Sequence, residues 1–323
     1  MQVTRWGGLS VGELGSTADG KRLAVLRRSS QAQAYVGQLE AGGTRMLPPR
    51  RLTFSDVNDP PFAWTPDSKQ VIINSDRNGR WELFKQPLDQ ETARPLVTDS
   101  EDVAGARLSA DGSWLLYLDI PKSFGRPSTP IPLMRVSVSG GPSQLVLEAH
   151  SLIGYRCGRA PATLCELEEL SPDNKLLKVT AFDPVKGRGR VLATIAVDPR
   201  AHCGVVPSPD GTRLAFVKVG EPEGHIQLLA LDGRPVRDIT FKGWPGCTSL
   251  SWAPDGKGMY CGTMTAQGAT LLHVDLDGKA QLLWQQRGAV GSFGIWGEPS
   301  PDGRYLAIMT EMMDSNIWIV ENF

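Results

Sequence analysis

Short apolar runs alternate with polar turns along the whole chain. The runs RLAVL, QVIIN, WLLYL, RLAFV and YLAIM each follow a turn such as TADG, TPDS, SADG or SPDG. Proline suits the second position of such a turn because its φ is already near the required value, and Asp or Gly tolerates the positions after it. Runs of this length leave no room for helices of about 12 residues. The pattern therefore predicts hairpins of short strands.

A second acidic turn follows the first at a constant distance. Asp89, Asp232 and Asp277 each lie 22 residues after the Asp of a first turn, at 67, 210 and 255. The acid of AFDPVKG is Asp183, and the same distance places its first turn at position 161, inside CGRAPATLC. The stretch SPDN at 171–174 then becomes the turn between the second and third strands of that unit.

The first turns lie at regular intervals once position 161 is included. They fall near 19, 67, 111, 161, 210, 255 and 302, with gaps between 44 and 50 residues. Units of four short strands at this period are typical of a β-propeller. We predict an all-β fold in which residues 1–323 form one seven-bladed β-propeller of four-stranded antiparallel blades. The last unit ends after its third strand, so residues 2–6 are predicted to supply the fourth strand of blade 7 and close the ring.

The motifs resemble a known family of repeats. A Pro-Asp-Gly turn before an apolar run, followed by LDG, resembles the TolB-type, WD-repeat-like propeller repeat over essentially the whole chain. The segments PSPDGRYLAIM, NIWIVENF and TAFDPVKGRGRVL resemble the C-terminal sensory propellers of bacterial regulators with a winged-helix or protein-kinase module. The resemblance implies a sensory or interaction module, and an extracytoplasmic (periplasmic) domain of a longer protein. It assigns no role to any residue.

Composition excludes several classes of partner. The formal net charge is −1 with acids and bases mixed along the chain, so nothing indicates nucleic-acid binding. No apolar run approaches the 18 residues or so of a membrane span, and MQVTRWGGLS lacks the pattern of a signal peptide. We expect a monomer without direct membrane insertion.

No catalytic set is evident, and we expect neither an enzyme, a metal site nor a cofactor. Ser10 in GLSVG matches G-x-S-x-G, but at the start of a propeller strand it lacks the strand-to-helix elbow of a hydrolase. The four histidines have no metal-ligand spacing, and His225 and His273 fall on third strands, where a structural role is expected.

The face opposite the Pro-Asp-Gly turns is the predicted ligand face, since inter-blade loops meet there at the channel mouth. Its candidate residues, which could equally be ordinary solvated loop residues, are Asp56, Asp59, Asp99, Asp102, His150, Arg200, His202 and Trp244. The long loop IPKSFGRPSTPI adds Phe124 and Arg126, which could cover the channel mouth. Trp64 and Trp252, just before their turns, are interpreted as blade-packing residues.

Five cysteines suggest one bridge. Cys157 and Cys165 flank the GRAP turn on neighbouring strands, so a cross-strand disulfide is predicted if the compartment is oxidising. Cys247 and Cys261 flank the APDG turn one residue out of register, which disfavours a second bridge. Cys203 is then expected to be a buried thiol.

These observations predict a non-catalytic propeller that binds an unknown protein or small molecule on the inter-blade loop face. The alternative is a propeller enzyme of lyase or lactonase type that uses His150 or His202 with a bound metal. A third interpretation is a scaffold whose partner docks on the rim or on a blade edge.

Overall fold

The computed structural model describes residues 10–98, 101–122, 129–198, 203–288 and 290–321, and nearly all of its regular structure is strand. The N-terminal region contains β1 (Ser10–Ser16), the long β2 (Arg22–Glu40), a short 3-10 helix (Ala41–Gly43), β3 (Arg45–Met46) and β4 (Arg50–Arg51). Within the described residues, no helix is long and apolar enough to span a membrane.

Five regular four-stranded antiparallel sheets follow, which we call blades I to V. Blade I contains β5 (Pro61–Trp64), β6 (Gln70–Ser75), β7 (Glu82–Pro87) and β8 (Arg94–Val97). Blade II contains β9 (Asp102–Leu108), β10 (Trp114–Ile120), β11 (Ile131–Ser137) and β12 (Gln144–Ala149). Blade III contains β13 (Leu152–Cys157), β14 (Cys165–Leu170), β15 (Leu176–Asp183) and β16 (Gly187–Ala196). Blade IV contains β17 (Cys203–Pro207), β18 (Arg213–Lys218), β19 (Gly224–Ala230) and β20 (Pro235–Phe241). Blade V contains β21 (Ser249–Trp252), β22 (Gly258–Thr265), β23 (Gly268–Asp275) and β24 (Ala280–Arg287).

The two ends of the chain build blade VI together. It contains β25 (Val290–Pro299), the first half of β26 (Tyr305–Glu321), the second half of β2, and β4 at its outer edge. The innermost strands β5, β9, β13, β17, β21 and β25 contact one another in a closed cycle. Beyond the ring, the first half of β2, the second half of β26 and β1 continue as a three-stranded extension.

The predicted all-β propeller of four-stranded antiparallel blades is confirmed, but the described sheets form six blades where seven sequence units were counted. Units one and seven share blade VI, and the turn at Asp19 lies on the extension. The reason is the 19-residue length of β2, since residues 22–36 contain no Gly or Pro that would end the strand. Residues 2–6, predicted to complete the last blade, lie outside the described residues. Among the described residues, the pairing of β2 with β26 joins the two ends of the chain in blade VI.

The first turns that begin with Ser or Thr share one hydrogen-bond pattern that explains their sequence. In blade II the Ser109 hydroxyl donates to Asp111 at 2.6 Å and accepts the Trp114 backbone N–H at 3.0 Å. The residue after the Asp has a positive φ, as at Gly112 (75°) and Ser68 (59°). The stretch Ser171–Asn174 has the same bonds but lies between β14 and β15, as the spacing of the second turns predicted.

Buried tryptophans join neighbouring blades. The Trp64 indole N–H of blade I donates to the Glu298 carbonyl of blade VI at 2.8 Å, and that of Trp252 in blade V donates to the Val206 carbonyl of blade IV at 3.1 Å. Both side chains are buried. Their surroundings agree with the predicted blade-packing role.

Two disulfides are present. Cys157 and Cys165 are direct partners in the pairing of β13 with β14 and are bridged, as predicted. Cys247 and Cys261 are bridged as well, against expectation. The two cysteines can pair although they are one residue out of register, because Cys247 precedes β21 and so does not follow the alternation of that strand. Cys203 begins β17.

Candidate functional site

The structure distributes the predicted ligand-face residues over several environments. Asp56, Asp102 and His150 are exposed on loops or a strand end. Asp59 is completely buried in an ion pair with Arg77 at 3.0 Å, so it is not an exposed candidate. The half-buried Trp244 packs against the core shared by blades IV and V. Asp99, Phe124, Arg126, Arg200 and His202 lie outside the described residues.

The two histidines expected to be structural lie on third strands. His225 in β19 is 3.1 Å from an Asp238 carboxylate oxygen. His273 in β23 is buried edge-on against the Tyr260 ring. Neither histidine lines the central channel.

A chamber of about 400 Å³ occupies the central channel, and all six inner strands contribute to its walls. One wall is aromatic. Phe62 of β5 and Trp296 of β25 lie with ring centroids 5.3 Å apart, and the Trp296 indole N–H donates to the Pro61 carbonyl at 2.8 Å. This hydrogen bond fixes the indole against blade I.

Another wall is made of glycines from three consecutive blades. Gly105, Gly154 and Gly204 occupy the same repeat position, four residues before the first residue of their turns, and all three line the chamber. A Cβ at Gly204 would have no atom within 4 Å. Packing therefore does not require glycine at that position. Glycine inside a strand often marks a place where a ligand or another backbone approaches closely.

The floor of the chamber is charged. Arg107, Arg156 and Glu298 line both this chamber and a second cavity of about 310 Å³ on the turn side. The Arg107 Nη1 donates to the Phe62 and Ala106 carbonyls at 2.5 and 2.9 Å. The half-buried Arg156 forms no side-chain hydrogen bond or ion pair with any described residue.

Two buried glutamates of β14 lie beside Arg156. Glu166 pairs across the strands with Arg156, and Glu168 lies opposite Gly154. Glu168 accepts the Val205 backbone N–H at 2.9 Å, whereas neither Glu166 carboxylate oxygen has a partner among the described residues. Burial raises the pKa of Glu168 to about 7 and that of Glu166 well above its usual value. Burial also raises the pKa of Glu298, although the charges of Arg156 and Arg159 oppose the rise.

The divergent turn of blade III crosses the channel on the turn side. Its backbone is bonded to both neighbours, with Ala160 N–H donating to Ala110 O at 2.8 Å and Arg159 N–H to Pro209 O at 3.0 Å. The Arg159 side chain reaches blade VI, on the opposite side of the ring, and donates to the Pro299 and Ser300 carbonyls at 2.9 and 3.2 Å. This turn therefore bounds the space below the chamber.

Sequence reasoning missed the charged floor. The signal was present in CELEEL, where Glu166 and Glu168 occupy alternate positions of a strand whose residues 165–169 are all buried. Charged residues are rarely buried without a partner, so such a pair stands out in a second strand. The recurrent glycine at 105, 154 and 204 was also visible in the repeat alignment.

Comparison with solved structures identifies the fold. A protein assigned as TolB from Agrobacterium tumefaciens superposes with a TM-score of 0.66 at 17% identity, covering 88% of this chain and 99% of that chain. TolB from Acinetobacter baumannii gives 0.52 at 15% identity, over 87% of this chain and 64% of that chain. A chain of a nidogen/laminin complex gives 0.52 at 13% identity, over 78% and 93%.

Sequence comparison adds no relative. No family model and no curated protein matches the chain. At these identities the structural likeness concerns the fold alone. The closed ring of four-stranded antiparallel blades and the superposition on TolB together show that the chain has the fold of a TolB-type β-propeller.

Proposed function

We propose that the chain is a non-catalytic binding module whose ligand occupies the central chamber, entering from the inter-blade loop face. The proposal rests on the residues that line the chamber and on their arrangement. The chamber has an aromatic wall and a glycine wall above a charged floor, and the Arg159 turn bounds it on the other face. A concave, mostly apolar space with a few convergent polar groups is the usual form of a ligand site.

The two disulfides support an extracytoplasmic location for this module. Disulfides persist in oxidising compartments and are rare in the cytoplasm of mesophiles. The bridges Cys157–Cys165 and Cys247–Cys261 would therefore form outside the cytoplasm. A sensory role within a larger bacterial regulator, as the sequence resemblance implied, is part of the same proposal.

Filling the chamber tests the binding function. Gly204→Leu places a side chain where a Cβ meets no atom within 4 Å, so the variant should fold normally and obstruct the chamber. Gly15→Leu is the matched control, since a Cβ on this glycine of the extension also meets nothing within 4 Å. The probe is a library of fragments, each small enough for a cavity of about 300 to 1,000 Å³, observed by ligand-detected NMR.

We expect fragments that bind the unmodified protein and Gly15→Leu to lose binding in Gly204→Leu. The proposal fails if the same fragments bind all three proteins, because they would then bind outside the chamber. It also fails if no fragment binds the unmodified protein.

Catalysis in the same chamber is the second candidate function, and the environment of Glu168 favours it. A carboxyl with a pKa of about 7 is suited to general acid or base catalysis near neutral pH. Among the described residues, no group of three His, Cys, Asp or Glu side chains is placed to hold a metal ion. A lyase or lactonase reaction here would depend on Glu168, so Glu168→Gln should abolish turnover while fragments still bind.

A further inference from the structure

Two charged side chains of the chamber floor, those of Arg156 and Glu298, form no hydrogen bond or ion pair with a described residue, and Arg156 is the cation of the two. Its guanidinium lies at the floor and forms no hydrogen bond or ion pair with a described residue, whereas Arg107 and Arg159 donate to carbonyls. A guanidinium presents a planar set of donors that matches a carboxylate in a bidentate pair. An arginine left unpaired at the floor of a chamber is therefore suited to an anionic group.

The carboxyls around Arg156 do not form that pair. Glu168 accepts the Val205 N–H, and none of Glu166, Glu168 and Glu298 forms an ion pair with Arg156. Burial raises the pKa of each of the three carboxyls, and the nearby charge of Arg156 opposes the rise in each case. Arg156 therefore has acidic neighbours, but its donors make no direct contact with a carboxylate among the described residues.

The chamber walls favour a ligand with an apolar part. Phe62 and Trp296 present aromatic surface, and the less buried Leu118, Ile153 and Val206 add aliphatic surface. The glycine wall at Gly105, Gly154 and Gly204 leaves the backbone open to close approach. Apolar surface removed from water contributes roughly 25 cal/mol per Å², so a ligand with an apolar body gains most from these walls.

We propose that the ligand is an apolar carboxylate. Its carboxylate pairs with Arg156, and its apolar or aromatic body lies between the Phe62–Trp296 wall and the glycine wall. This inference rests on the proposed binding function. The same chemistry is offered by a free organic acid and by the C-terminal residue of a peptide, and the test distinguishes these sources.

The experiment is isothermal titration with four probes. Two are N-acetyl-L-phenylalanine and its amide, and two are a short peptide that ends in Phe with a free or an amidated C-terminus. We expect the acids to bind at least about 10-fold more tightly than the matching amides, because a hydrogen-bonded charge pair contributes about 1.5 to 3 kcal/mol. Binding of the small acid identifies the free acid as sufficient, and binding of the peptide acid alone identifies a C-terminus.

Substitutions of Arg156 complete the test. Arg156→Met should weaken binding of the acids by about 10- to 100-fold and leave any binding of the amides unchanged, while Arg156→Lys should recover part of the loss. The matched control is Arg237→Met, at an exposed arginine paired with Asp277, which should bind as the unmodified protein does. Arg156→Lys keeps the positive charge, so it provides the comparison if Arg156→Met does not fold.

Two outcomes separate this inference from the proposed function. If acids and amides bind equally, or Arg156→Met binds the acids as tightly as Arg237→Met, the inference is overturned. The binding function still stands in that case, provided that Gly204→Leu blocks the fragments. If Gly204→Leu changes nothing, the function fails and the inference fails with it.

Discussion

At the residue scale, the buried carboxyls of β14 contrast with the exposed carboxyls of the turns. A hydroxyl and backbone N–H groups bond to the turn carboxylates, and these bonds lower their pKa, as at Asp173. Glu166 and Glu168 lie inside the protein, and burial raises their pKa. The two kinds of carboxyl therefore act on stability in opposite directions as pH changes.

Glu168 should make the protein less stable as pH rises toward neutrality. Its pKa is about 7 in the folded protein against an ordinary value of 4.5, so its contribution is fully present below about pH 4.5 and is lost as pH rises to about 7. In Glu168→Gln we expect this loss, which is at most about 3 kcal/mol, to disappear from the free energy of unfolding. Urea unfolding at several pH values measures it.

The exposed Glu223→Gln provides the control for that experiment. Its free energy of unfolding should follow the pH dependence of the unmodified protein. If the curve of Glu168→Gln runs parallel to that of the unmodified protein, the carboxyl of Glu168 titrates normally and the prediction is wrong.

At the element scale, the first turn of blade III differs from those of the other blades in what it contacts. In the Ser-x-Asp turns, most hydrogen bonds join residues of the same turn. The turn at 158–161 instead forms hydrogen bonds with blades II, IV and VI. The Cys157–Cys165 bridge joins the two strands that carry it. The turn that departs from the repeat sequence is thus also the one that links opposite sides of the ring. We call the hydrogen bonds from Arg159 to Pro299 and Ser300 the brace.

Removal of the Arg159 side chain should weaken this brace. Arg159→Met loses two charge-assisted hydrogen bonds to the Pro299 and Ser300 carbonyls and leaves those acceptors unmatched, so we expect a loss of about 2 to 3 kcal/mol. Urea unfolding at pH 7 measures the loss. Arg304→Met removes an exposed arginine from the first turn of blade VI and should cost under about 1 kcal/mol. Equal losses in both variants would show that the brace does not stabilise the ring.

At the scale of the whole molecule, both chain ends are needed for the ring, but only part of each belongs to it. The first half of β26 lies in blade VI between β25 and β2, while its second half lies on the extension. The extension exposes Leu14, Ile317 and Ile319, whereas the ring buries Ala307 and Ile308. Ring and extension should therefore respond differently to truncation.

Two truncations test this division. Ending the chain after Met312 removes only the extension half of β26, so we expect cooperative unfolding with Tm lowered by about 5 °C or less. Ending it after Arg304 removes all of β26 and opens the ring, so we expect loss of the near-UV circular dichroism spectrum. Thermal unfolding followed by circular dichroism measures both. Similar behaviour of the two proteins would contradict the assignment of blade VI.

The sequence alone determined the features that follow from the repeated turn motif. Ser, Pro, Asp and Gly at fixed positions specify a hairpin turn wherever they occur, so the propeller class, the turn positions and the displaced turn at Ser171–Asn174 could be predicted. Cys157 and Cys165 could be paired because both lie on strands joined by one turn. These features depend on neighbours close in sequence.

Only the tertiary structure decided how the ends meet and what faces the channel. Seven units form six blades because β2 runs unbroken from the extension into the ring, and a repeat count cannot detect a shared sheet. Phe62, Gly204 and Trp296 come from three blades and line one chamber only after the ring closes. The turns dictate strand pairing within a blade but not the contacts between blades. The chamber, and an Arg156 side chain that pairs with no described residue, therefore became visible only in the closed ring.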